Sequence, residues 1–288
     1  MVLSGANKLR IVVYSALLIV LLWALPAFKS ERFSDRPPVA GVDGLTLIAH
    51  AGGGLPSGVY SNAREAFDAA YAAGIRSFEV DLKLTRDGKP VLLHDWGDAW
   101  LRWHRSGVIR PALAGLGLLR FLPPSHADFI NGRMPDRLTP MDLDRLCDWA
   151  GANSDVVLLM DLKEGAKALL PILDETPDQC RVKMVPQVWT PDEYRWATEL
   201  GFDRVALTVY KSKLATEEIE AFVREHDPYY LVMPAGRATP ETVARVTAFG
   251  DPLVLHTVNG LGRAEAFAAM GVHGLITDSL VPGLRNSE

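Results

Sequence analysis

A recurring unit of a helix, a glycine and a short apolar strand most constrains how this chain can fold. Thr190-Pro191 and Thr239-Pro240 each begin a segment with helical spacing, and Gly201 and Gly250 follow those segments before the next apolar run. Proline is favoured in the first helical turn, and glycine is favoured just past the last one. Alternating helices and strands predict a parallel sheet.

Eight apolar segments fit this rhythm as strands. They lie at residues 45–50, 75–81, 156–161, 182–188, 204–208, 229–233, 252–258 and 274–277. Eight such units fit a closed (β/α)8 arrangement better than an open, doubly wound sheet. An open sheet would carry a GxGxxG phosphate loop after its first strand, and Gly52-Gly53-Gly54 lacks that spacing. The sequence therefore predicts an α/β fold, a (β/α)8 TIM barrel.

One segment interrupts the rhythm after the second strand. No repeat is visible between His94 and a helix predicted to begin near Thr139, so we expect an insertion at about residues 96–138. Its many large apolar side chains favour a lid over the barrel mouth or a contact with the bilayer interface, where Trp is favoured. A small satellite core on the side of the barrel is the alternative. The residues in question are Trp96, Trp100, Trp103, Leu118, Leu119, Phe121 and Leu122.

The N-terminus predicts a membrane anchor. Residues 11–28 are 18 consecutive uncharged residues, mostly Ile, Val, Leu and Ala. A crossing helix needs about 20 residues with a lower limit of about 17, whereas a signal-peptide core has about 7–15. Lys8 and Arg10 precede the run and place the N-terminus in the cytoplasm. We predict an uncleaved signal-anchor or transmembrane segment at residues 1–28, a tether at 29–43, and a barrel at 44–288 on the non-cytoplasmic side. A cleaved signal and a buried helix are the alternatives.

Charge and cysteine content narrow the classes of partner. The net charge of -5, without a long basic run, argues against nucleic acid as a partner. Cys147 and Cys180 lack CxxC spacing and do not indicate zinc. We expect two unpaired buried thiols, with one disulfide in an oxidising compartment as the alternative.

Side chains that can bind a metal or transfer a proton lie at the ends of the first three strands, where a barrel has its active site. Glu79 and Asp81 are two residues apart on one strand and so share a face. Two adjacent carboxylates raise each other's pKa unless a cation lies between them, which indicates a hard divalent ion with oxygen ligands. The other side chains at these strand ends are His50, His94, Asp161 and Lys163.

Several motifs of this chain resemble the glycerophosphodiester phosphodiesterase family, within the phosphatidylinositol-specific phospholipase C-like phosphodiesterase superfamily. The motifs are Ile48-Ala49-His50-Ala51-Gly52, residues 78–88 with Glu79 and Asp81, Leu93-His94-Asp95, Met160-Asp161-Leu162-Lys163, Thr257-Val258-Asn259 and Ile276-Thr277-Asp278. The resemblance implies a TIM barrel that binds one divalent cation, Ca²⁺ or Mg²⁺. It also implies hydrolysis of a glycerophosphodiester to glycerol 3-phosphate and an alcohol.

The same resemblance implies roles for individual residues. By position, His50 and His94 match the general acid/base pair, and Lys163 and Gln187 match substrate- or phosphate-binding residues. The matches to the metal ligands are Glu79, Asp81 and Asp161, the last of which replaces the usual Glu and is one methylene shorter.

The chain also departs from the family pattern. Ala51 stands where the family has an Arg that contacts phosphate, Tyr60-Ser61-Asn62-Ala63 replaces Pro-Glu-Asn-Thr, and His256 replaces a Trp. Lys163, Lys83 or the backbone amides of Gly52–Gly54 are candidates to replace the arginine as anion ligands.

Three functions fit these observations. A phosphodiesterase for soluble glycerophosphodiesters is the first, and a lysophospholipid or phosphatidylinositol-type phospholipase at the membrane is the second. A catalytically silent, membrane-tethered binding barrel is the third, motivated by the missing Arg and Glu.

Overall fold

The computed structural model describes residues 39–40, 44–103, 123–132, 134–210, 212, 214–250 and 252–283. The strands are β1 (Val39–Ala40), β2 (Thr46–Ala49), β3 (Ser77–Leu84), β4 (Pro90–Leu92), β5 (Val157–Leu162), β6 (Met184–Val188), β7 (Ala206–Thr208), β8 (Tyr230–Pro234), β9 (Leu253–His256), β10 (Gly274–Thr277) and β11 (Leu280–Val281). The helices are α1 (Arg64–Ala72), α2 (Asp98–Trp103), α3 (His126–Ile130), α4 (Leu143–Ala152), α5 (Ala166–Asp174), α6 (Asp178–Arg181), α7 (Pro191–Glu199), α8 (Thr216–His226), α9 (Pro240–Val246) and α10 (Leu261–Ala269).

The strands close into a barrel. β2, β3 and β5 to β10 form a parallel sheet in which β2 pairs with both β10 and β3. Helices connect successive strands, as parallel pairing requires. The predicted (β/α)8 barrel is confirmed, and β1 and β11 form a separate parallel pair.

Apolar side chains fill two layers, one on each face of the sheet. The layer between sheet and helices includes Phe67, Phe78 and Trp149, all fully buried. The layer inside the barrel is built from short branched side chains, among them Ile48 and Val185. The glycine stops after the helices are also confirmed, because Gly201 and Gly271 both adopt the positive φ that glycine takes without strain.

A hairpin explains how His94 reaches the second strand. β4 pairs antiparallel with β3, and the Leu93 amide donates to the Asp81 carbonyl at 3.0 Å. The chain therefore turns back along β3 and places His94 next in sequence to the residue that bonds Asp81.

The insertion after this hairpin contains helices and buried tryptophans. Trp96 and Trp100 pack with Phe129 of α3 in one small core, and Trp103 packs with Met134 in another. All three tryptophans are almost fully buried, so none of them presents its ring to a bilayer. Trp103 donates to the Val59 carbonyl in the loop before α1, and the choice between a lid and a satellite core stays a prediction. Leu118, Leu119, Phe121 and Leu122 lie outside the described residues.

One predicted helix start differs from the structure. The helix predicted to begin near Thr139 begins at Leu143, because the Asp142 side chain accepts from the Arg145 amide as its cap. Thr139 instead donates through its amide and hydroxyl to the Glu65 side chain of α1. α1 begins at Arg64 without a side-chain cap.

The prediction of unpaired cysteines is wrong. Cys147 of α4 and Cys180 of α6 form a disulfide with a Cα–Cα distance of 5.3 Å. The intervening strand β5 and helix α5 return the chain to the same side of the barrel, which brings the two residues together.

The predicted membrane anchor at residues 11–28 lies outside the described residues, so it stays a prediction. Among the helices of the described ranges, none has the length and apolar character needed to cross a bilayer.

We predict that the disulfide contributes about 2–4 kcal/mol to the free energy of unfolding, mainly by restricting the unfolded chain. The Cys147→Ser/Cys180→Ser variant should lower the midpoint of urea unfolding relative to the oxidised protein. Reductant should lower the wild-type midpoint to the same value and leave the variant unaffected. Two free thiols in unfolded, unreduced protein would contradict the pairing.

Candidate active site at the carboxyl ends of the barrel strands

The predicted site residues lie around one cavity of about 150 Å³ at the carboxyl ends of the strands. Side chains from β2, β3, the hairpin and β5 line one side. These are His50, Glu79, His94, Asp161 and Lys163, and Tyr60 joins them from the loop before α1. The structure thus brings the predicted residues of three strands together, with Asp81 buried at the same place.

Sheet register places the three predicted metal ligands side by side. Asp81 of β3 and Asp161 of β5 are register partners, and Glu79 shares the inward face of β3 with Asp81. Ligand oxygens of the three carboxylates lie within 4.8 Å of one another. All three side chains are buried.

A single lysine bridges two of these carboxylates. Lys163 Nζ lies 2.9 Å from Asp81 Oδ1 and also donates to Asp161 Oδ2. Burial alone would raise the pKa of Asp81, but Lys163 lowers it to about 2. Burial would lower the pKa of Lys163, and the two carboxylates raise it instead. Lys163 is therefore charged and held by the cluster.

The other two carboxylates have raised pKa values. Burial, and then the charge of Asp81, raise the pKa of Glu79 to about 8. Burial likewise raises the pKa of Asp161, whose Oδ1 is buried without a hydrogen-bond partner. A metal ion binds carboxylates in their ionised form, so it would displace the proton that the raised pKa of Glu79 favours. In that form the three carboxylates and the Lys163 ammonium carry two net negative charges, which a dication neutralises. Oxygen donors at this spacing suit Ca²⁺ or Mg²⁺.

Backbone and amide groups fix the orientation of the carboxylates. The Ala51 amide donates to Glu79 Oε2 at 2.8 Å. Asn62 Nδ2 donates to Asp81 Oδ2 at 2.8 Å, and its Oδ1 accepts from the Asp81 amide. One oxygen of Glu79 and one of Asp81 are held this way, which leaves their other oxygens for the cluster.

His50 is paired with a carboxylate that the sequence reasoning did not select. His50 Nδ1 lies 2.9 Å from Asp278 Oδ1. Asn259 holds Asp278 by donating to Oδ2 and accepting from its amide. Burial alone would lower the pKa of His50, but the hydrogen bond to Asp278 and the charge of Glu79 raise it to about 9.

His94 has a similar arrangement at the more open edge of the cavity. Its Nδ1 lies 2.9 Å from Asp95 Oδ2, and both side chains are about two-fifths exposed. The Tyr60 ring packs edge-on against both imidazoles, at centroid distances of 4.4 Å to His50 and 5.9 Å to His94. Each histidine thus has one ring nitrogen held by a carboxylate, which fixes the orientation of the ring.

Of the candidate anion ligands, the structure places Lys163 in the cavity. Lys83 pairs with Glu164 at 3.0 Å instead. The Gly53 amide donates to the His50 carbonyl. Gly54 packs against the backbone oxygen of Asp278, where an added Cβ would lie 2.1 Å away. Gly54 therefore allows close packing. Lys83 and the Gly53 amide already have partners within the protein, so the suggestion that these two groups bind an anion is wrong.

Sequence reasoning missed Tyr60, Asn62 and Asp278 as site residues. Asp278 directly follows β10, so the rule that polar residues at strand ends enter the site would have selected it. Tyr60 and Asn62 lie in the loop before α1, and no local signal in the sequence marks a loop side chain that reaches a strand.

Comparison with known proteins agrees with this geometry. The sequence model of the Glycerophosphoryl diester phosphodiesterase family matches residues 51–102, which confirms the resemblance seen in the motifs. Among curated proteins, none matches the chain in sequence.

Solved structures share the fold at low sequence identity. A glycerophosphodiester phosphodiesterase from Parabacteroides distasonis has a TM-score of 0.62 at 16% identity, covering 83% of this chain and 94% of that one. The corresponding enzyme from Thermotoga maritima has a TM-score of 0.59 at 18% identity, covering 82% and 95%. A phosphodiesterase from Oleispira antarctica, in complex with its product sn-glycerol-3-phosphate, has a TM-score of 0.61 at 18% identity, covering 81% and 93%. The family match supports a phosphoric diester hydrolase, and the neighbours show that the barrel fold is shared.

Proposed function

We propose that this chain is a metal-dependent phosphodiesterase that hydrolyses glycerophosphodiesters to glycerol 3-phosphate and an alcohol. The observation that carries the proposal is the convergence, in one cavity, of three buried carboxylates, one lysine and two carboxylate-held histidines. The family match over residues 51–102 and the product bound to the Oleispira antarctica neighbour support the same reaction and substrate class.

We assign Glu79, Asp81 and Asp161 to one divalent cation, Ca²⁺ or Mg²⁺. When bound, such a cation supplies positive charge that stabilises the phosphoryl oxygens. The uncompensated charge of the carboxylates and the unpaired Asp161 Oδ1 support this assignment. Lys163 lies against the same cluster and holds a second positive charge at the cavity wall, suited to a phosphate oxygen. Gln187, the register partner of Asp161, borders this position from β6.

The two histidines move the protons. Asp278 favours the protonated form of His50, so we assign His50 as the general acid that protonates the leaving alkoxide. Asp95 orients His94, so we assign His94 as the general base that takes a proton from the attacking hydroxyl or water. The Tyr60 ring keeps both imidazoles in place from one side.

Two observations bear on where the reaction takes place. The disulfide between Cys147 and Cys180 is typical of an oxidising compartment, which agrees with a barrel on the non-cytoplasmic side of the predicted anchor.

The burial of Trp96, Trp100 and Trp103 keeps these side chains from contacting a bilayer, which favours a soluble diester over a lysophospholipid as the substrate.

Metal dependence is the test of the proposed function. Hydrolysis of glycerophosphocholine, followed by release of glycerol 3-phosphate, should disappear in EDTA and return with Ca²⁺ or Mg²⁺. The same ion should raise the melting temperature, because it neutralises the buried carboxylates, and the Asp161→Asn variant should lose most of that rise. Full activity after exhaustive dialysis against EDTA would sink the metal assignment, and no hydrolysis with any ion would favour the silent barrel.

The histidine roles predict specific losses. His50→Ala and His94→Ala should each lower kcat by about 10²-fold or more, the usual size of a general acid/base contribution.

The acid form of His50 is lost as the pH rises through its pKa, so activity should fall on the alkaline side at or below about pH 9. Asp278→Asn removes the carboxylate that raises this pKa and should move the alkaline limb to lower pH.

Asp155→Asn is the matched control for that shift, because Asp155 forms an exposed pair with Arg76. The control should keep the wild-type pH profile. An alkaline limb that stays in place in Asp278→Asn would show that another group is the acid.

The predicted topology has its own measurement. A phosphatase reporter that folds only outside the cytoplasm should be active when fused after residue 288, because residues 11–28 place the barrel on that side. A fusion that is active only as a cytoplasmic reporter would overturn the anchor and its orientation together.

A further inference from the structure

The wall of the cavity that runs from β6, beside the carboxylates, round to β9 is polar but carries no charge pair. Its side chains come from the ends of three strands: Gln187 from β6, Thr208 from β7 and His256 from β9. Val232 of β8 lies between the last two and lines the same wall. Among the described lining residues on this side, neither a carboxylate nor an ammonium is present.

Each of the three polar residues presents an unsatisfied buried atom. Gln187 Oε1, Thr208 Oγ1 and His256 Nε2 are buried without a hydrogen-bond partner. Gln187 and Thr208 are more than nine-tenths buried. Buried polar atoms in folded proteins nearly always have a partner, so three of them around one cavity require a ligand or ordered water that completes their bonds.

The chemistry of these atoms defines the partner. An amide oxygen accepts, a threonine hydroxyl both donates and accepts, and a neutral imidazole nitrogen does one or the other according to its tautomer. Burial, and the positive charges of His50 and Lys163, lower the pKa of His256 to about 4, so its ring is neutral at pH 7. The Tyr210 ring packs edge-on against it at 5.3 Å. A hydroxyl group both donates and accepts, so it matches the hydrogen-bonding capacity of each of these atoms, whereas none of the three carries the negative charge that favours a cation.

We propose that Gln187, Thr208 and His256 form a subsite that binds an uncharged, hydroxyl-bearing group of the substrate. This inference rests on the proposed function and names the part of the diester that the cavity selects, a polyol such as glycerol. Because His256 stands where the resembling family has a Trp, the hydrogen bond it offers is a feature of this chain.

Thr208→Val tests the subsite, because it removes the hydroxyl and keeps the shape of the side chain. The substrates are bis(p-nitrophenyl) phosphate, without hydroxyls, glycerophospho-p-nitrophenol, with hydroxyls on the glycerol alone, and glycerophosphoglycerol, with hydroxyls at both ends. We expect kcat/KM to fall about tenfold or more for a hydroxylated diester and to stay within about threefold for the bis-aryl diester, since a buried partner is left unpaired only with the former. His256→Phe should act in the same direction.

Thr247→Val is the matched control, because the Thr247 hydroxyl bonds to the Val243 carbonyl within the α9 turn, away from the cavity. It should leave all three substrates unchanged. Loss on both hydroxylated substrates assigns the subsite to the glycerol of the substrate, and loss on glycerophosphoglycerol alone assigns it to the leaving alcohol. Equal losses on all three substrates, or none, would overturn the subsite.

A binding measurement separates this inference from the proposed function. Calorimetry should show that wild-type protein binds sn-glycerol 3-phosphate more tightly than inorganic phosphate, and that Thr208→Val reduces this difference about tenfold. If the wild type hydrolyses no diester but shows this loss, the proposed reaction fails and the subsite stands. If both ligands bind equally to wild type and variant while the leaving-alcohol arm also shows no loss, the subsite fails and the reaction stands.

Discussion

The pairing of Asp81 with Asp161 across β3 and β5 is the constraint on which the rest of the site depends. Parallel register places the two carboxylates opposite each other on the inward face of the barrel, where like charges destabilise the sheet. Lys163, two residues beyond Asp161 on the same face, bridges both and removes part of that cost. Glu79 then adds a third buried carboxylate whose pKa burial and Asp81 raise, and a divalent ion that binds all three carboxylates would remove this repulsion.

The lining of the cavity contains charged groups in one part and neutral polar groups in another. On one side, ionised groups from β2, β3 and β5 oppose each other in pairs, such as His50 with Asp278 and Lys163 with Asp81. On the other side, neutral groups from β6, β7 and β9 keep their hydrogen-bonding capacity unsatisfied. Charged groups suit a phosphate and a metal, and neutral groups suit an uncharged part of the same molecule. A phosphodiester carries both kinds of group, so this division of the cavity agrees with the proposed substrate.

Periodic and local features of the sequence were enough to predict the barrel. The glycine stops and the proline starts of α7 and α9 are local, so each strand could be placed within a few residues. Glu79, Asp81, Asp161 and Lys163 were found because one strand face repeats every second residue. Partners set by tertiary contact were not found. Asp278 lies 228 residues from His50, and the Cys147–Cys180 pair depends on the return of the chain across 33 residues. Strand and helix periodicity relate only residues that are close in sequence, so they do not predict which distant residues pair.

The loop between β2 and α1 shows how local backbone strain serves the site. Ala51, Tyr60 and Asn62 all adopt positive φ, which costs a residue other than glycine on the order of 1–3 kcal/mol where it is unfavourable. Each of them makes a contact that an extended backbone would not direct inward. The Ala51 amide meets Glu79, the Tyr60 ring packs against both histidines, and the Asn62 amide holds Asp81. The short loop therefore orients two of the carboxylates and both imidazoles at once. Its departures from the family pattern, Ala51 and Tyr60, lie at two of these strained positions, so the loss of the family arginine is accompanied by a tyrosine that fills the space beside the histidines.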